Sequence, residues 1–74
     1  MLVKYFNNAL KLELTPKALK YANSKGDNLR IYYYEDKEKD NDKGYGLEFR
    51  GKDFHFISME LISVYLENLA TSEE

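Results

Sequence analysis

The sequence predicts a small α+β domain in which a mostly antiparallel or mixed sheet carries two helices, in the order β-α-β-β-β-α. Several segments alternate apolar and polar residues with the period of two typical of strands. Two others repeat apolar residues at helical spacing, and 43% of the 74 residues are hydrophobic. A chain of this length buries only about 60% of its unfolded surface, so we expect one domain. We place it at residues 10–70, after an arm or short strand over 1–9 and before a flexible tail over 71–74.

The first predicted strand leads directly into the first predicted helix. Residues 10–14 (LKLEL) alternate as a half-buried strand does. Thr15 can accept a hydrogen bond from a free helical N–H, and Pro16 suits the first helical turn. Because Gly26 can adopt the left-handed conformation that ends helices, we expect this helix over Pro16 to Lys25.

Three further strands are predicted in the middle of the chain. Residues 29–34 (LRIYYY) have the β-branched and aromatic character of a strand. The segment 35–44 (EDKEKDNDKG) contains no apolar residue, which predicts a solvated loop. Residues 45–49 (YGLEF) form a third strand, and a turn at Gly51-Lys52 leads to a fourth containing Phe54 and Phe56. So short a link predicts a hairpin.

The final predicted element is an amphipathic helix that begins after Ser58, a plausible N-cap. Its apolar face is predicted to contain Leu61, Ile62, Tyr65, Leu66 and Leu69, and its opposite side Glu60, Ser63 and Glu67.

In this order, four pieces of the chain resemble the HesB-like, A-type iron–sulfur cluster biogenesis family. They are LELTPKA at 12–18, LRIY at 29–32, GYGLEF at 44–49, and FHFI at 54–57 followed by Tyr65-Leu66. The resemblance covers about residues 10 to 69 and implies the α+β scaffold of that family.

The departures from the family concern its chemistry. Its members place a cysteine in a loop after the second long strand, and many add a Cys-Gly-Cys near the C-terminus. This chain has no cysteine and one histidine, with charged residues 35–43 where the first cysteine would fall. Cluster iron requires thiolate ligands, for which one imidazole is no replacement. The resemblance therefore implies a degenerate member that has lost cluster ligation, and we predict no cofactor and no metal site.

His55 is the natural candidate for proton transfer at neutral pH. If Phe54 and Phe56 face the core, His55 points to the other side of the sheet, where an ordinary surface histidine is the simplest interpretation. Catalysis would need a neighbouring nucleophile or carboxylate, and Asp53 or Glu48 are too common to indicate one. We predict that the protein is not an enzyme.

Alternating acids in the charged segment could suggest calcium binding. These acids are Asp36, Glu38, Asp40 and Asp42. However, Lys37 and Lys39 lie between them, and the central glycine and final glutamate of an EF-hand loop are missing. A solvated loop is the better interpretation.

Residues 43–46 (KGYG) match the first half of an RNA-binding RNP1 signature. The second half fails, because Leu47 and Arg50 stand where aromatic residues are expected. Alternation also places Tyr45, Leu47 and Phe49 on the apolar face that the helices need to cover. RNA binding is therefore only a secondary alternative.

The second strand has a face rich in tyrosine. If Leu29, Ile31 and Tyr33 face the core, then Arg30, Tyr32 and Tyr34 face away from it. Tyr and Arg are enriched at interface hot spots. The alternatives are that this face is covered by the N-terminal arm, with its aromatic residues Tyr5 and Phe6, or by strand curvature. The candidate interaction surface consists of Arg30, Tyr32, Tyr34, Arg50 and His55.

Charge and hydropathy restrict the partners. The formal charge of −2 argues against a nucleic-acid backbone as ligand, and no run approaches the ~18–20 apolar residues of a membrane span. We expect a cytoplasmic, noncatalytic interaction module that acts through a protein partner or as a homodimer. A phage or mobile-element inhibitor of a host nucleic-acid machine is the alternative from another class.

Overall fold

The computed structural model describes residues 1–39 and 42–73. Within them, four strands form one antiparallel sheet in the order β1-β2-β3-β4, with two α-helices on one of its faces. The strands are β1 (Leu2–Phe6), β2 (Leu29–Asp36), β3 (Asp42–Phe49) and β4 (Lys52–Phe56). The helices are α1 (Pro16–Lys25) and α2 (Met59–Ser72), with short 3-10 helices at Asn8–Glu13 and Gly26–Asn28. The α+β class and the order β-α-β-β-β-α are confirmed.

Both α-helices begin at the predicted caps. The Thr15 hydroxyl accepts a hydrogen bond from the Ala18 N–H at 3.4 Å, and the Ser58 hydroxyl accepts one from the Leu61 N–H at 3.3 Å. Gly26, at the end of α1, has a φ of +55°, in the region that favours glycine. Local side-chain chemistry therefore fixes where the helices start and where α1 stops.

The core lies between the helices and one face of the central strands. The helices contribute Ala18, Tyr21, Ala22, Met59, Ile62 and Leu66, and the sheet contributes Leu29, Ile31, Leu47 and Phe49. The predicted inward side chains of β3, Leu47 and Phe49, and of β2, Leu29 and Ile31, are in the core. Tyr33, predicted on the same face of β2, is only half-buried.

The prediction of a strand at residues 10–14 is wrong. Residues 10–13 belong to the 3-10 helix Asn8–Glu13, which Leu14 caps, and the strand before α1 is β1. Leu10 and Leu14 contact the core, but Leu12 is 76% exposed, so the three leucines do not share a face. The arm takes the edge position beside β2 instead, in register from Leu2 opposite Asp36 to Phe6 opposite Tyr32.

The prediction of a solvated loop over residues 35–44 is wrong at both ends. β2 continues to Asp36 and β3 begins at Asp42, with Glu35 directly opposite Lys43. Opposite charges across two antiparallel strands stabilise their pairing, as at Glu35 and Lys43. The last pair places Asp36 opposite Asp42, and the N-terminal ammonium, 3.2 Å from the Asp36 carboxylate, offsets this repulsion. Asp40, one of the alternating acids, lies outside the described residues.

Two details of the last predicted elements also differ. The turn between β3 and β4 is formed by Arg50 and Gly51, with φ values of 55° and 74°, and not by Gly51-Lys52. In α2, Ser63 is buried and not on the solvent side, and its hydroxyl accepts a hydrogen bond from the Thr15 N–H at 3.2 Å. Leu61, predicted on the apolar face, is 44% exposed.

The predicted flexible tail over residues 71–74 is helical at its start. Thr71 and Ser72 belong to α2, and Glu73 caps the helix, its N–H bonded to the Leu69 carbonyl at 3.1 Å. Glu73 also forms ion pairs, described below, that tie the helix end to the rest of the chain.

Candidate functional site

Four of the five predicted interaction residues lie on the sheet face opposite the helices. Arg30 is opposite Glu48 in the register of β2 and β3, and Tyr32 is opposite Gly46, which in turn is opposite His55. Phe54 and Phe56 pack against the core, as expected, so His55 points away from it. We call this side of the sheet the outer face.

Tyr32 and Tyr34 on the outer face are buried, with exposures of 0% and 7%. The reason is the pair of glycines in β3. A Cβ built on Gly46 would lie 2.0 Å from the Tyr32 Cζ, and one on Gly44 would lie 3.1 Å from the Tyr34 hydroxyl. The two rings therefore lie across the glycine backbone, in space that only glycine leaves empty.

Neighbouring strands complete the cover over Tyr32 and Tyr34. The Phe6 ring centroid is 5.1 Å from that of Tyr32, and the Lys4 Nζ lies 4.7 Å above the Tyr32 ring. His55 stacks on Tyr34 with 4.4 Å between ring centroids. The N-terminal arm covers this face through Phe6, whereas Tyr5 lies on the other side of the sheet.

The inclusion of Tyr32 and Tyr34 in an interaction surface is therefore corrected. Their position on the outer face follows from alternation, but their rings are enclosed by the chain itself. Of the predicted interaction residues on this face, only Arg30 and His55 are exposed.

A continuous polar network crosses all four strands on the outer face. The Tyr32 hydroxyl donates to the Asp53 carboxylate and lies 3.0 Å from the His55 Nε2. The Lys4 Nζ donates to Asp53 at 2.9 Å and to Glu48 at 3.2 Å. The Arg30 guanidinium donates to the other oxygen of Glu48 at 2.9 Å.

The network keeps its charged groups charged and its phenol neutral. Burial and then the adjacent Asp53 carboxylate raise the pKa of Tyr32. Burial of Asp53 opposes its ionisation, but the hydrogen bonds from Lys4 and Tyr32 outweigh burial and lower its pKa. The hydrogen bond to Asp53 raises the pKa of Lys4. The network therefore links the four strands through hydrogen bonds and ion pairs.

Arg50, the fifth predicted residue, lies apart from the outer face. It occupies the turn between β3 and β4, where its guanidinium is 4.7 Å from the Phe49 ring centroid and forms an ion pair with Glu73. The structure therefore does not bring Arg50 together with Arg30 and His55.

The free edge of the sheet at β1 is a feature that the sequence-based prediction missed. Leu2, Tyr5 and Phe6 are 41%, 47% and 43% exposed. β1 is an edge strand of the sheet, and no described residue pairs with the side of β1 that faces away from β2. The available signal was the run LVKYF at 2–6, rich in β-formers, which we interpreted as an arm or a short strand.

The described part of the chain has neither a metal-ligating cluster nor a membrane-spanning helix. Within residues 1–39 and 42–73, no group of three or more His, Asp or Glu side chains is arranged to hold a metal ion. Neither helix combines the length and the apolar character needed to cross a bilayer.

Comparison with known proteins adds no relative. No protein-family model matches the sequence, and no curated protein or solved structure shows significant similarity to it.

Proposed function

We propose that this protein is a noncatalytic interaction module whose sheet accepts an additional strand at β1, supplied by a second copy of the chain or by a partner protein. The observation that carries the proposal is the unpaired outer edge of β1, which has exposed apolar side chains on both of its faces. Unpaired N–H and C=O groups of an edge strand are a template for another chain.

The charge that could protect this edge is held elsewhere. Natural edge strands are often blocked by a lysine that would be desolvated by an incoming strand. Lys4, the one charged side chain of β1, instead extends over the outer face to Asp53 and Glu48. Its charge is already balanced by two carboxylates, so a second strand can approach without leaving the ammonium unpaired.

The sequence of β1 is complementary to itself. In an antiparallel pairing centred on Lys4, Leu2 faces Phe6 of the second copy on the outer face, and Val3 faces Tyr5 on the other. Lys4 faces Lys4, a like-charge pair that is destabilising by itself and that the Asp53 and Glu48 carboxylates of each copy offset. Aromatic and aliphatic pairs of this kind stabilise antiparallel strands. A contact of five residues falls below the ~1,200 Å² typical of stable complexes, so we expect weak, reversible association.

The opposite edge, β4, is less suited to pairing. It carries Lys52 and Asp53, and its Phe54 and Phe56 rings pack against Tyr65 of α2, with centroids 5.5 and 5.7 Å apart. Pairing of β1 with β4 of another copy would build open chains and not a closed dimer.

The proposal also includes a HesB-like scaffold and a cytoplasmic location. A HesB-like scaffold without cluster ligation rests on the sequence pieces given above, and a cytoplasmic location is compatible with a chain that has no cysteine to oxidise. The RNA-binding alternative rests on residues 43–46 and requires aromatic rings free to stack on bases, whereas Tyr45 packs against the core and Phe49 is buried.

Sedimentation velocity over a range from about 10 μM to about 1 mM tests the proposal. We expect a monomer–dimer equilibrium in which Tyr5→Lys reduces dimerisation, because it places a charge on the edge. Leu12→Lys is the matched control, since Leu12 is 76% exposed and outside the sheet. If the wild type is a monomer at the highest concentration, the homodimer is excluded. If Leu12→Lys reduces dimerisation as much as Tyr5→Lys does, β1 is excluded as the dimer interface.

A further inference from the structure

A second surface lies away from the sheet edge, in the groove between α1 and the end of α2. It is an open cavity of about 700 Å³. The residues that line it include Lys17, Lys20, Tyr21, Lys25 and Glu73. The groove follows α1 from its first turn to its last, a length of about 15 Å.

The groove is a basic region on an acidic protein. The whole chain has 11 basic and 13 acidic residues, but α1 contains three lysines and no acid. Arg50 adds a fourth positive charge through its ion pair with Glu73 at the end of the groove. Clustered charge of one sign attracts ligands of the opposite sign.

One carboxylate already occupies this basic region. Glu73 forms ion pairs with Arg50 and with Lys25, whose Nζ is 3.7 Å away. The Lys17 Nζ donates a hydrogen bond to the Thr71 hydroxyl at 2.7 Å. The chain's own helix end therefore shows how the groove contacts a carboxylate-bearing segment.

Tyr21, one of the residues that line the groove, has a buried hydroxyl. Tyr21 is 7% exposed, and its hydroxyl makes no well-aligned hydrogen bond to any described residue. Burial, followed by the Glu73 carboxylate close by, raises the pKa of Tyr21 to about 12. A buried donor without a well-aligned acceptor is costly, so an acceptor that enters the groove gains by satisfying it.

We propose that the groove between α1 and α2 binds an acidic peptide segment of a partner protein, with Glu73 as the internal carboxylate that this segment displaces. The lysines and Arg50 would hold its carboxylates, and Tyr21 would donate to one of them. A length of about 15 Å accommodates about four or five extended residues, which favours a peptide over a single small anion. This site is independent of strand addition at β1.

The test is fluorescence anisotropy with labelled pentaglutamate, using the full chain. We expect Lys20→Glu combined with Lys25→Glu to weaken binding about tenfold or more. The matched control, Lys37→Glu with Lys39→Glu, changes the net charge equally in the β2–β3 connection and should stay within about twofold. Circular dichroism establishes that each variant is folded.

Glu73→Gln provides the specific readout, because it removes the internal competitor. We expect it to tighten pentaglutamate binding about threefold or more. The proposal is overturned if Glu73→Gln leaves binding unchanged or if the control weakens it as much as the groove variant. It is also overturned if a single-stranded oligonucleotide of equal charge, or inorganic phosphate, binds more tightly than the peptide.

Discussion

The ring of Tyr32 lies across Gly46 of the neighbouring strand, so closely that a Cβ on Gly46 would be 2.0 Å from the Tyr32 Cζ. This contact explains how a large aromatic side chain is 0% exposed on a sheet face that no helix covers. The glycine provides the space, and Phe6, Lys4 and His55 provide the walls.

Replacement of Gly46 by alanine tests this packing. The added methyl group must displace the Tyr32 ring and its hydroxyl from the polar network. We expect Gly46→Ala to lower the free energy of unfolding by about 2–4 kcal/mol, as overpacking and loss of a buried network do. Urea denaturation measures the change.

A double-mutant cycle separates the clash from the general effect of alanine in a strand. In a Tyr32→Ala background the ring is absent, so Gly46→Ala should cost much less. If the stability changes of the two substitutions are additive, the Tyr32 ring is not the reason why position 46 requires glycine.

The Tyr32 hydroxyl has its own testable contribution. Tyr32→Phe preserves the ring but removes the donor to Asp53 and the partner of His55. A hydrogen bond to a charged group contributes about 1.5–3 kcal/mol, so we expect a loss in that range by urea denaturation. Tyr5→Phe is the control, because no hydrogen bond of the Tyr5 hydroxyl is described. Equal losses in the two variants would contradict the role of the network.

Alkaline pH should destabilise the fold through the tyrosines. Burial first, and then neighbouring carboxylates, raise the pKa of both Tyr32 and Tyr21, the latter to about 12. The unfolded chain loses these protons near pH 10 while the folded chain retains them, so the stability they contribute is present below about pH 10 and falls as pH rises further. Absorbance titration at 295 nm should show that some tyrosines of the wild type ionise only well above pH 10. Tyr32→Phe should have fewer such tyrosines. Normal ionisation of all tyrosines in the folded protein would contradict this.

Acidic pH should destabilise the fold through Asp53 and Glu73. Burial opposes the ionisation of Asp53, but Lys4 and Tyr32 lower its pKa, and the Tyr21 hydroxyl, with Arg50 and Lys25, lowers that of Glu73. The stability from each carboxylate is present above its unfolded pKa and is lost as pH falls through its lower folded pKa. We therefore expect Asp53→Asn combined with Glu73→Gln to be less stable than wild type at pH 7 and closer to it at about pH 2. A constant difference at the two pH values would contradict these contacts.

Local signals in the sequence predicted much of the fold. Thr15, Ser58 and Gly26 define helix ends through bonds to residues close in sequence, so their roles could be inferred without tertiary structure. Alternation in β2 likewise predicted that Leu29 and Ile31 enter the core. These features depend on a few adjacent residues, and the structure confirms them.

The remaining features depend on pairing between distant segments. Leu10 lies in a 3-10 helix and Leu14 caps it, because β1 already occupies the edge beside β2, which the leucine spacing does not reveal. The burial of Tyr32 requires Gly46 to be its cross-strand partner, and register is not encoded in either strand alone. The ion pairs of Glu73 similarly join a turn to a helix end predicted as a tail.

Hydrogen exchange at β1 tests strand addition most directly. Amide exchange is compared in dilute and concentrated protein, with β4 as an internal reference. We predict that amides within Leu2–Phe6 become more protected as concentration rises, while those of Lys52–Phe56 do not change, and that Tyr5→Lys removes the effect. Protection at β1 that is independent of concentration, or that appears at β4 or α2 instead, would contradict the proposal that β1 is the interaction edge.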